Sequence, residues 1–169
     1  MTGVVIELTD QECAAEDRRA EVHFARAQKR GWQGVGYHGP QRLRGNQLGY
    51  RAERAVKKWL GRNDPGDPDG FGKADAGRFS VRYGMRSSYG LVIHDRDGEK
   101  DHILVVPDDN PDDPRRFRLV GWLSTREARI WRARGCGRPL PGSTSAWAIP
   151  QTCLHELSEL PEFAHKGGV

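Results

Sequence analysis

Residues 79–106 read FSVRYGMRSSYGLVIHDRDGEKDHILVV, and the way they divide into strands decides the fold class. Three runs rich in β-branched and aromatic residues, 79–84, 89–95 and 101–106, are separated by MRSS and RDGEK, which are turn and loop chemistry. A fourth run, 116–122 (RFRLVGW), follows the loop PDDNPDDPR. Consecutive strands with short connections predict an antiparallel meander. In that arrangement His94 and His102 are neighbours across a hairpin, where structural or exposed histidines are the default.

Helical signals flank this strand region. Val4–Leu8 is apolar but short, and Thr9-Asp10-Gln11-Glu12 is a capping box that predicts a helix toward Lys29, ending near Gly31. Residues 31–46, with five glycines and a proline, are loop-like. Residues 47–60 (QLGYRAERAVKKWL) form the clearest helix: Leu48, Ala52, Ala55, Val56, Trp59 and Leu60 make one stripe, and Gly61 stops it. Glu53 lies at the border of that stripe, with Lys57 one turn on. Residues 61–78 are too rich in Gly, Asp and Pro for regular structure, apart from a short strand before Asp75. Ser124-Thr125-Arg126-Glu127 is a second capping box, opening a helix over 125–133. Residues 135–145 are loop, Trp147–Ile149 a brief strand, and Pro150 leads into a terminal helical piece with Leu154, Leu157 and Leu160 on one face. No internal repeat is present. The order predicts one α+β domain over 1–169: a helical part at 9–60, a loop at 61–78, a sheet at 79–122 and helices at 124–160.

The bulk numbers agree with a globular chain. It has 169 residues, 36% hydrophobic and 30% charged, with 21 Gly and 10 Pro. No apolar run approaches a membrane span, and the N-terminus lacks the pattern of a secretory signal. Cys13, Cys136 and Cys153 are widely spaced and odd in number, so the expectation is a reducing, cytoplasmic compartment. The net charge of +4 is unevenly spread. Segment 41–62 holds seven basic residues against Glu53, a net +6, and segment 95–113 holds eight acids against Arg96 and Lys100, a net −6. Such polarity can steer a polyanion to one side. Arg51, Arg54 and Lys58 on the helix, and Arg86 in a turn, are the candidate DNA contacts. Tyr83 beside that turn and Trp32, Tyr37, Tyr50 and Trp59 near basic segments are candidates for phosphate or base contact, Trp59 being better explained as core. Cys136, Cys153, His155 and His165 are metal-type ligands whose spacing fits no tight zinc module. No phosphate-binding glycine loop or nucleophile elbow is present.

Hydrolysis of a phosphodiester calls for a Mg²⁺ held by carboxylates and a cation near the scissile phosphate. Glu53 on a helix flank, Asp75 at a strand edge and Arg82 on the next strand would supply these parts. Taken singly, each is ordinary for its place.

The ordered series GYRAERAVKKWLG, DAGRFSVR, LVIHDRD, HILVV, FRLVGWLSTREA and WAIPQTCLHEL resembles a group of phage-encoded proteins related to the restriction-endonuclease-like PD-(D/E)xK nucleases. The likeness runs over about residues 5–160 and includes Gly121-Trp122 and Ile149-Pro150-Gln151. It implies a restriction-endonuclease-like core with a central mixed or antiparallel sheet of four to five strands flanked by helices. It also implies a Mg²⁺- or Mn²⁺-dependent deoxyribonuclease, with Glu53 and Asp75 as metal ligands and Arg82 in the place of the catalytic lysine. Two positions depart from the pattern. Ser80 stands where a carboxylate is expected, and a hydroxyl is a poor Mg²⁺ ligand. Arg82 stays protonated, so it can stabilise charge but cannot take a proton from water. Asp95 and Lys57 are the conceivable replacements. The departures equally fit a non-catalytic member that binds nucleic acid or a host or phage protein, including a DNA mimic.

Overall fold

β4 (Asp101–Pro107) is buried from His102 to Pro107. A strand apolar on both sides needs cover on both faces, and the rest of the chain supplies it. The computed structural model describes residues 3–29, 40–62 and 78–160, with backbone alone at 40–42. Asp75, Trp32, Tyr37 and His165 lie outside the described residues. The described elements, in chain order, are β1 (Val4–Glu7), α1 (Asp10–Lys29), α2 (Pro40–Trp59), β2 (Phe79–Tyr83), β3 (Leu91–His94), β4, β5 (Arg116–Ser124), α3 (Thr125–Ala133), β6 (Arg138–Pro139) and β7 (Ala146–Ile149). They make a four-stranded sheet of order β1-β5-β4-β2 and a three-stranded sheet of order β3-β7-β6.

Each face of the larger sheet has its own core. On one, Phe79, Val81 and Tyr83 of β2, Ile103 and Val105 of β4, and Phe117 and Leu119 of β5 pack with Ala52, Ala55 and Val56 of α2. On the other, Leu104 and Val106 meet Leu91 and Ile93 of β3, Trp147 and Ile149 of β7, and Ala128 of α3. The fold is α+β in three layers: α1 and α2, the mixed sheet, then the smaller sheet with α3.

The expected meander is corrected. β4 and β5 are antiparallel, but β2 runs parallel to β4, and β3 pairs with β7 in the other sheet. Parallel neighbours need a crossover, and residues 84–100 make it by crossing the far face, contributing β3 as they go. His94 and His102 therefore lie in different sheets, not across a hairpin.

Helix boundaries follow local chemistry. Thr9 and Glu12 form the first capping box, Thr9 N donating to Glu12 Oε2 at 2.8 Å and Glu12 N to Thr9 Oγ1 at 3.2 Å. α2 begins at Pro40, not near 47, so the expected loop over 31–46 is corrected from Pro40 onward. Proline suits a first helical turn, and burial of the Leu48 stripe outweighs the cost of Gly45 and Gly49. At the other end Gly61 has φ +69°, with Arg62 N bonded to Lys57 O and Gly61 N to Lys58 O, a Schellman stop. The second capping box is present at Ser124 and Glu127, opening α3.

The terminal helical piece is two 3-10 turns instead, Gln151–Cys153 and Leu157–Glu159, with Leu154 extended between them at ψ 148°. Leu154, Leu157 and Leu160 are nonetheless buried. This segment clasps the sheet: His155 and Trp122 exchange backbone hydrogen bonds of 2.9 and 3.1 Å, and Trp122 Nε1 donates to Glu156 O at 3.0 Å. Gln151 Nε2 donates to the carbonyls of Ser87 and Tyr89 at 2.7 and 2.8 Å. The Gly-Trp and Ile-Pro-Gln elements are thus joints between segments.

Candidate functional site

Glu53 sits on the flank of α2 that faces α1. Its carboxylate is 3.6 Å from Arg19 Nη2, and Arg19 Nη1 bonds Glu16 at 3.0 Å. The Arg19 guanidinium thus lies between two carboxylates and over the ring of Tyr50, 4.4 Å from its centroid. Burial raises the pKa of Glu16, opposed by the charges of Arg19, Lys57 and Arg54. Lys57, only 4% exposed, is close enough to Glu16 to act on its charge. A metal ion bound by Glu53 and Glu16 would have to occupy the place that Arg19 fills. Among the described residues no group of three His, Cys, Asp or Glu is placed to hold a metal. Of the two expected ligands, Glu53 is engaged by Arg19 and Asp75 lies outside the described residues.

Arg82 and Ser80 belong elsewhere. Side chains alternate along a strand, and Phe79, Val81 and Tyr83 take the α2 face of β2. Ser80 and Arg82 therefore point to the opposite face, in register with His102 and Leu104 of β4. Arg82 Nη2 donates to Asp97 Oδ1 at 2.7 Å, and Asp97 Oδ2 accepts the His94 backbone N–H at 2.8 Å. Burial alone would raise the pKa of Asp97, but the His94 bond and the Arg82 charge hold it below the usual carboxylate range. Burial and Arg82 together lower the pKa of His94. Thus Glu53 and Arg82 are separated by the sheet. The two replacement residues are also separated: Lys57 lies in the α1–α2 layer, while Asp95 pairs with Arg132 of α3 at 3.0 Å. The acid that meets Arg82 is Asp97. Its only sequence signal is its place in the turn after β3.

The candidate DNA contacts on α2 are engaged inside the protein. Arg51, 6% exposed, holds Asp17 through Nε and Nη2 at 2.8 and 2.6 Å, and Asp113 through Nη1 at 2.7 Å. Burial would lower its pKa, but those bonds reverse the direction. Asp113 also pairs with Arg44 at 2.9 Å. The basic 41–62 and acidic 95–113 segments therefore meet and partly neutralise each other. Arg54 and Lys58 both pair with Glu12, at 3.2 and 2.9 Å. Burial alone would raise the Glu12 pKa, but the Thr9 cap and these two cations bring it down to about 2. Arg86 remains exposed in the turn after β2. Tyr83 packs edge-on to Phe117 at 6.2 Å, and burial pushes its pKa up to about 12. His155 is held between Glu127 and Glu159 at 2.8 and 3.3 Å, and Cys136 and Cys153 are free thiols.

The exposed cations that sequence reasoning passed over are on α3 and just beyond it. Residues 126–138 (REARIWRARGCGR) carry five arginines, no lysine and one acid. That density was the available signal. Comparison of the chain with protein-family models, curated proteins and solved structures finds no match.

Proposed function

We propose that this protein binds nucleic acid without cutting it. The observation that carries the reading is the separation of Glu53 from Arg82 by the sheet, each already held by an oppositely charged partner, Arg19 and Asp97. A phosphoryl-transfer centre needs its carboxylates and its cation converging on one phosphate. Ser80 adds no carboxylate. The sequence resemblance to phage-encoded restriction-endonuclease-like proteins and the net charge of +4 support a nucleic-acid ligand. The same scaffold could instead engage a host or phage protein, and the experiment below separates the two.

One feature favours the rival reading, a Mg²⁺- or Mn²⁺-dependent deoxyribonuclease built on Glu53 and Asp75. Lys57 is buried one turn from Glu53 and close enough to Glu16 to act on its charge. Incubation with linear, circular and single-stranded DNA in Mg²⁺ or Mn²⁺, beside Glu53→Ala and Asp75→Ala, decides between them. The expected result is retained, intact DNA for all three proteins. Cleavage lost in both variants would establish the nuclease, and neither binding nor cleavage would leave a protein partner.

A further inference from the structure

α3 is amphipathic, with an apolar side in the core and a solvent side rich in arginine. Thr125 and Ala128 are buried, and Trp131 packs into the core between the two sheets. Its solvent side presents Arg126, Arg129 and Arg134, Arg132 lies at the border of the buried face over Trp147, and Arg138 follows on β6, all five exposed. Arg126, Arg134 and Arg138 make no ion pair among the described residues. Arg129 and Arg132 pair with Glu99 and Asp95, at 2.7 and 3.0 Å, on side chains about half exposed. Exposed pairs of this kind contribute only about 0–1 kcal/mol, so a stronger anion can displace them.

Tryptophan backs the arginines. The Arg132 guanidinium carbon lies 3.6 Å from the Trp147 ring centroid, and that of Arg134 lies 5.7 Å from the Trp131 centroid. Stacking on a ring fixes the plane of a guanidinium while leaving its N–H edge outward. Planar, always-charged forks suit phosphate oxygens better than lysine does. From Arg126 to Arg134 the helix rises about 12 Å at about 1.5 Å per residue, a span over which one strand of a duplex presents a phosphate every ~3.4 Å of axis.

We propose that this arginine face of α3, continued by Arg138, is the surface that docks the phosphate backbone of duplex nucleic acid, without reading its sequence. The proposal rests on the nucleic-acid-binding reading above and locates it. An anionic membrane is the weaker fit, because a helix that lies in a bilayer interface needs a free apolar face. The apolar face of α3 is committed to the core, with Ile130 its one exposed large apolar side chain at 44%.

The test compares binding of a labelled duplex across salt concentrations for the wild type, R126A/R134A/R138A and a charge-matched control, R18A/R115A/R116A. Circular dichroism confirms that all three are folded. Each phosphate contact contributes about 0.9 to the slope of log K against log salt. The α3 variant should therefore lose about 2.7 from the slope, and the control should lose far less. Wild-type binding by the α3 variant, or equal weakening in both variants, overturns the surface but leaves nucleic-acid binding standing. No duplex binding by the wild type at about 50 mM salt, or capture of phosphatidylserine vesicles in its place, overturns both.

Discussion

His102 is a residue that is hard to charge. Its side chain is fully buried, and Nε2 lies 2.8 Å from Thr125 Oγ1. That hydroxyl also approaches the carbonyls of Gly98 and Lys100, at 2.8 and 3.1 Å. Carbonyls only accept, so the single hydroxyl proton goes to one of them, and His102 must donate through Nε2. Nδ1 is then a lone pair, buried with no hydrogen-bond partner among the described residues. Burial, with the Arg82 charge adding to it, pushes the pKa down to about 4 from 6.5. Above pH 6.5 the imidazole is neutral in folded and unfolded chains and stability is unaffected. Between pH 6.5 and 4 the unfolded chain takes up a proton that the folded chain refuses, so stability falls, by about 3 kcal/mol in all. Urea midpoints measured across this window should fall as pH drops, and His102→Gln should remove most of the slope. A residual slope is expected from His94, which is lowered too. The carboxylates lowered by partners, Glu12, Asp97 and Glu127, act below about pH 4.5, whereas Glu16, raised by burial, contributes stability as pH falls and offsets part of the histidine slope. An unchanged slope in His102→Gln would contradict this account. At this scale the residue types of the candidate site were readable from the chain, but their partners were not. Arg82 is an evident strand arginine, yet its pairing with Asp97 depends on a crossover that no local pattern announces.

Among the elements, the C-terminal segment and β5 meet through Gly121. A Cβ there would stand 2.6 Å from His155 O and 3.0 Å from Leu154 Cβ. Gly121→Ala must push the clasp away from the sheet, at a cost of about 1–3 kcal/mol, and loosen the His155 amide that bonds Trp122 O. Hydrogen exchange should show that amide losing protection ahead of the α1 and α2 amides. Gly45→Ala on α2 is the contrast, because no atom of the described residues lies within 4 Å of its Cβ position. It should stabilise by about 1 kcal/mol. If Gly121→Ala were as mild as Gly45→Ala, the clasp would not be holding the sheet. The elements themselves were largely legible: both capping boxes, the Leu48 stripe, the stop at Gly61 and the strand runs lie where local chemistry predicts them. Their pairing was less so. Turn chemistry between 84 and 100 is equally good for a hairpin and for a corner between stacked sheets. The choice is made by β4, whose apolar residues on both faces demand a second cover. The helical start at Pro40 was obscured because glycines at 45 and 49 suggest a loop until the packing of the same helix is known.

For the molecule as a whole, β4 is the shared wall of two cores. Ile103 and Val105 belong to the core under α2, and Leu104 and Val106 to the core under the smaller sheet. Alternate residues of one strand thus tie the layers together, and neither core can lose its wall without exposing the other. The expected consequence is a single cooperative unfolding transition among the described layers. Trp59 packs against the first core, and Trp147 lies within the second, so variants retaining one or the other tryptophan report on each side separately. Their urea transitions should coincide. Leu104→Ala removes volume from only one core and should cost about 2–5 kcal/mol. Because the wall is common, it should shift the Trp59 transition as far as the Trp147 transition. Separation of the two midpoints, with Trp59 left unmoved by Leu104→Ala, would mean that the layers fold independently and that β4 does not couple them.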